Sequence, residues 1–117
     1  MRNINGAWKL AGQGTISATT GGVDIPVIET IPAKTNLFVY AVTVSNAGSG
    51  IAYYTEPEAR GGTANQGEPV PNTSPAGTVS VEFGPRDLQD VIDKGNPQMR
   101  SGTGTVVVRY RIYVQSR

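Results

Sequence analysis

Eleven consecutive residues, Thr105 to Gln115, read Thr-Val-Val-Val-Arg-Tyr-Arg-Ile-Tyr-Val-Gln and alternate with period two. Val106, Val108, Tyr110, Ile112 and Val114 share one face. Val107, Arg109, Arg111, Tyr113 and Gln115 share the other. Successive side chains of a strand point to opposite sides of its sheet, and β-branched and aromatic residues pack well there, so this segment can only be read as a long strand. At a rise of roughly 3.3 Å per residue it spans about 36 Å, against a usual strand of five or six residues. A strand of that length crosses a whole domain, and the rest of the chain must supply sheet to pair with it.

The other elements lie between turn signals. Trp8 to Leu10 and Thr15 to Ala18 are short strand candidates separated by Gly12 and Gly14. Val23 to Ile31 is a longer one carrying Pro26, which cannot donate to a ladder, so it belongs at an edge or breaks there. Asn36 to Ser45 sets Phe38, Tyr40, Val42 and Val44 against Leu37, Val39, Ala41 and Thr43, apolar on both faces, which predicts a central strand. Asn46-Ala-Gly-Ser-Gly then reads as a hairpin turn returning through Ile51 to Thr55. Glu56 to Pro75 holds four prolines and three glycines, which reads as a long functional loop that projects and contacts a partner. Gly77 to Gly84 alternates Val79, Val81 and Phe83 against Thr78, Ser80 and Glu82. Pro85 to Ile92 fits a short helix with Leu88, Val91 and Ile92 on the core side. Gln98 to Arg100 is a short strand, and Ser101-Gly-Thr-Gly turns into the long last one. Seven or eight strands at this spacing, in one domain of 117 residues, predict an all-β antiparallel sandwich, jelly-roll-like, with one short helix near 85–92 and an N-terminal arm of about residues 1–12.

Composition removes several functions. The chain has no histidine and no cysteine, so Ser-His-Asp and Cys-His nucleophile systems, zinc sites built on imidazole or thiolate, and disulfides are excluded. Ten basic against nine acidic residues give a net charge of +1, without the basic footprint of a nucleic-acid binder. The first ten residues lack the apolar core of a signal peptide and no apolar run reaches the roughly 18 residues of a membrane span, which predicts synthesis in the cytoplasm. Glu56 with Glu58, or Asp87 with Asp90, could serve as paired carboxylates, but a solvated loop and a polar helix face account for them better. Asp87, Asp90 and Asp93 recur every third residue as a surface helix requires, without the alternating ligands and central glycine of a calcium loop, and Asp87 suits a helix N-terminus. Gly12-Gln-Gly14 and Gly102-Thr-Gly104 read as turn glycines, and Arg60-Gly61-Gly62 as a loop tip. No catalytic residue, metal or cofactor is expected.

What remains favours contact with another protein. Arg109, Arg111 and Tyr113 stand in a row on the outward face of the last strand. Arg and Tyr are enriched at interfaces because they join apolar area to directional hydrogen bonds. Trp8 is a core plug or a docking arm. Arg60 lies at the tip of the long loop. Seven arginines against three lysines suit fork-like contacts with carboxylates.

Three segments carry a family likeness: Ile31-Pro-Ala-Lys-Thr-Asn-Leu-Phe-Val-Tyr-Ala-Val-Thr-Val-Ser-Asn-Ala-Gly-Ser-Gly, Pro75-Ala-Gly-Thr-Val-Ser-Val-Glu-Phe-Gly-Pro and Gly102-Thr-Gly-Thr-Val-Val-Val. From about Ile25 to Val114 the chain resembles small β-sandwich virion proteins of tailed bacteriophages, of the capsid decoration or cement type. The resemblance implies a virion protein that binds the major capsid protein, forms a symmetric homo-oligomer such as a trimer, and stabilises the shell. It implies no catalytic or ligand residue, and the 56–75 loop has no counterpart in the pattern. A phage neck, tail or fibre component has the same features. A carbohydrate-binding module is the alternative of another class, with Tyr53, Tyr54 and Tyr113 as its stacking platform.

Overall fold

A computed structural model describes residues 8–31, 38–56, 67–72, 77 and 79–116, and for positions 38 and 116 the backbone alone. Among the described residues, eight strands run in chain order as β1 (Lys9–Ala18), β2 (Val23–Asp24), β3 (Phe38–Asn46), β4 (Ala52–Thr55), β5 (Glu68–Val70), β6 (Ser80–Asp87), β7 (Gln98–Ser101) and β8 (Val106–Ser116). Two short helices, α1 (Val27–Thr30) and α2 (Leu88–Lys94), interrupt them. One sheet has the order β1-β8-β3-β6 and the other β2-β7-β4-β5. β1 pairs with β8, β2 with β7, β3 with β6 and β4 with β5, all antiparallel. Each strand thus meets the one whose number brings the total to nine, as when a long two-stranded ribbon is rolled up. That is the jelly roll: two antiparallel sheets facing each other across one core.

The core follows the strand period. Val106, Val108 and Ile112 of β8, Tyr40, Val42 and Val44 of β3, and Phe83 of β6 face Ala52 and Tyr54 of β4, Val70 of β5 and Met99 of β7. Burying a side chain of this size contributes about 1.5–3 kcal/mol, and the cluster continues without a break between the sheets. Tyr54 and Phe83 stack across it, with ring centroids 3.9 Å apart and planes 5° from parallel. β3 lies between β8 and β6, as its doubly apolar sequence predicts: Val39 and Ala41 of its outer face are buried as well.

Several local expectations give way. Gly12 and Gly14 do not end a strand, because β1 passes through both with a bulge between Leu10 and Gly12. A Cβ at position 12 would run into the Thr30 side chain, and one at position 14 would stand 2.7 Å from the Tyr110 hydroxyl. Glycine here makes room for neighbours rather than for a turn. Of the expected arm of about residues 1–12, residues 9–12 belong to β1, and residues 1–7 lie outside the described residues. The segment from Val23 breaks at Pro26 as expected, but its second half is the helical turn α1.

Asn46 to Gly50 is not a hairpin turn. It carries the chain from β3 in one sheet to β4 in the other. The Asn46 side chain holds this arch: its Nδ2 donates to the carbonyls of Gly50 (2.9 Å) and Val70 (2.8 Å), and its Oδ1 accepts from the Gly48 N–H. β5 appears inside the presumed loop, with Pro69 tolerated on a sheet edge. β6 starts at Ser80, leaving Val79 54% exposed, and runs on to Asp87, so that the helix begins only at Leu88. Leu88 and Val91 are buried, whereas Ile92 is turned outward. α2 ends on Gly95, whose N–H donates to the Val91 carbonyl and whose positive φ turns the chain out of the helix. The buried Asn96 then ties α2 to α1, accepting from the Ile28 N–H and donating to Glu29.

Candidate interaction face

The outer face of the β1-β8-β3-β6 sheet is assembled in rows by strand register. One row runs Thr15, Arg109, Ser45, Ser80, and the next runs Gln13, Arg111, Thr43, Glu82. Each arginine therefore stands between hydroxyl or amide side chains. Around them lies a depression of about 410 Å³, with Gly77 at its border. A Cβ on Gly77, which has φ +78°, would come within 3.1 Å of Arg109 Nη1, so this glycine lets the guanidinium lie against the turn ahead of β6. Arg111 Nε donates to Gln13 Oε1 at 3.2 Å, which orients the second guanidinium.

Both arginines are exposed, and neither forms an ion pair among the described residues. A second depression, lined by Glu56, Glu68, Glu82, Phe83 and Arg86, is different. There Arg86 bonds Glu56 at 2.9 Å. Burial works against the Arg86 charge, but Glu56 beside it outweighs this and raises its pKa. The positive charge of that site already has its carboxylate. On the Arg109–Arg111 face the guanidinium forks still offer donors to an incoming acceptor.

Arg109, Arg111 and Tyr113 come together as predicted, with Tyr113 half-buried between Leu10 and Ala41 on the neighbouring strands. Trp8 is half-buried and precedes the Lys9–Val114 pair, so it lies toward the Gln115 end of the ladder, away from Arg109. Arg60, Glu58 and most of the 56–75 loop lie outside the described residues. Gln115, expected outward, is buried. Gln13, Thr15, Thr43, Ser45 and Ser80 were not singled out by the sequence. Their only signal is a polar side chain at alternate positions of three separate segments, which strand order alone unites.

The three-tyrosine platform does not form. Tyr54 is 1% exposed and stacked on Phe83, while Tyr53 is on β4 of one sheet and Tyr113 on β8 of the other. Asp87 does take the position before α2, in extended backbone, without a side-chain capping bond, and Asp93 accepts from Gln89.

Fold and face define an eight-stranded jelly-roll domain with a polar, arginine-bearing sheet surface. No protein-family model matches the chain, and no curated protein or solved structure is significantly similar to it.

Proposed function

We propose that this protein is a non-enzymatic structural component of a tailed-bacteriophage virion, a capsid decoration protein that binds an acidic surface of the major capsid protein through the Arg109–Arg111 face. The observation that carries the reading is the pair of exposed guanidiniums set among hydroxyls with no carboxylate partner among the described residues. Interfaces use arginine in this way, bidentate to carboxylate and oriented by neighbouring polar groups. The rigid sheet beneath fixes the two forks one strand repeat apart, so little conformational freedom is lost on docking. Added contacts across capsid subunit junctions would oppose their separation, which is the whole mechanism of a cement protein. The jelly roll supports the reading only broadly, since lectins share it with capsid proteins.

The test has two parts. Purified particles from the source lysate should contain the protein on their surface. A folded Arg109→Ala, Arg111→Ala double variant should bind those particles at least about tenfold more weakly, about 1.4 kcal/mol. Absence from particles, or undiminished binding by the double variant, refutes it.

A further inference from the structure

Sheet edges expose unpaired backbone donors and acceptors, and folded proteins commonly blunt them with proline, charge or brevity. Three of the four edges here are treated so. β2 has two residues and includes Asp24; β5 has three and includes Pro69; β6 carries Glu82, Pro85, Arg86 and Asp87. β1 is the exception. It is ten residues long, contains no proline, and bears a single charge, Lys9, at its first position. Its whole ladder is with β8 on one side, and residues 9–17 make no other backbone hydrogen bond among the described residues. Leu10, Gln13, Thr15 and Ser17 are exposed along it.

We propose that β1 is a strand-pairing edge whose occupant is β1 of a second copy of this chain, antiparallel across a two-fold axis at Thr15. The sequence is complementary to itself in that register. Thr15 faces its own copy, Gln13 faces Ser17, and on the other side of the sheet Gly14 faces Ile16. Threonine pairs and hydroxyl–amide pairs are favourable cross-strand neighbours, and no like charges are opposed. Lys9 lies beyond the paired stretch. The two β8 strands end up three strand spacings apart, about 14 Å, which exceeds the roughly 8 Å screening length at physiological salt, so the arginines of the two copies do not prevent the approach. Pairing β1 with β6 of another copy is disfavoured by Pro85 and by the charges of that edge. The product is one continuous eight-stranded sheet. It joins two Arg109–Arg111 faces on a single surface and closes at two subunits rather than three.

Cysteine cross-linking of the full chain decides the matter, because the protein has no cysteine of its own. Directly opposed residues in an antiparallel pair have Cα atoms about 4.5–5.5 Å apart, within disulfide reach. Thr15→Cys should therefore give a covalent dimer on mild oxidation. Ser17→Cys should not, since the two Ser17 positions lie four residues out of register, about 13 Å apart. In sedimentation of the unmodified protein, a monomer–dimer equilibrium should appear between micromolar and millimolar concentration. Folded Thr15→Lys and Thr15→Glu variants should each dimerise at least about tenfold more weakly, and their mixture should recover a heterodimer. A monomer throughout that range, equal cross-linking at both cysteine positions, or no recovery on mixing overturns the proposal and leaves the edge to solvent or to a strand of another protein.

Discussion

The stacked pair Tyr54 and Phe83 is where the two sheets clasp, since one ring comes from β4 and the other from β6. A double-mutant cycle with Tyr54→Leu and Phe83→Leu isolates what the rings contribute to each other. Aromatic pairs are worth about 0.5–1.5 kcal/mol beyond the area they bury, and prefer offset or edge-to-face geometry. Here the planes are only 5° from parallel and the centroids 3.9 Å apart, so like-signed ring faces partly oppose each other and the lower half of that range applies. We expect a coupling of about 0.5–1 kcal/mol. Each single change should cost about 1–3 kcal/mol through lost contact in the core. The Tyr54 hydroxyl goes with its own substitution and cancels in the cycle. Urea unfolding of the four proteins supplies the numbers, provided the m-value stays constant. Additivity within about 0.3 kcal/mol would refute the clasp, because independent sites behave that way.

Two further outcomes are specific to particular atoms. Gly67→Ala should destabilise by more than about 2 kcal/mol in chemical denaturation, because position 67 has φ +107° and a Cβ would overlap the Tyr54 carbonyl oxygen; a neutral substitution would show that the turn ahead of β5 is placed differently. Burial, aided by Tyr40 and Glu56, raises the Tyr54 pKa well above its usual value. The folded phenol therefore stays neutral where an unfolded one ionises, so stability is retained below about pH 10 and falls as pH rises beyond it, by at most about 1.4 kcal/mol per pH unit. Tyr54→Phe should flatten that alkaline slope, and an unchanged slope would assign the loss to other groups.

Strand faces were legible in the sequence because alternation is a local property, and β8 shows it at its clearest: Val106, Val108 and Ile112 are buried, and Val107, Arg109 and Arg111 exposed. The destination of each strand was not. Asn46-Ala-Gly-Ser-Gly has the composition of a hairpin turn, yet the bonds from Asn46 to Gly50 and Val70 make it an arch between sheets. Gly12 and Gly14 looked like punctuation because their role lies with Thr30 and Tyr110, distant in the chain. Glu68-Pro-Val was hidden because a three-residue strand carries too little pattern to separate from a loop. The interaction face divided in the same way. Its arginines sit on one strand and could be seen, whereas the hydroxyls beside them come from β1, β3 and β6 and depend on strand order.

The rule that partners add to nine also sets the order in which this fold can close. β4 and β5 are neighbours in sequence, but the nine-residue β1–β8 ladder joins positions almost a hundred residues apart. Closing so large a loop costs entropy before any of its contacts form, and topologies dominated by such pairings fold in milliseconds to seconds rather than microseconds. Until Val106–Ser116 has been synthesised, β1 and β3 lack the strand that lies between them. Through that interval the apolar stretch of β3 has only β6 beside it, which is when this protein is most exposed to wrong pairing with its own copies.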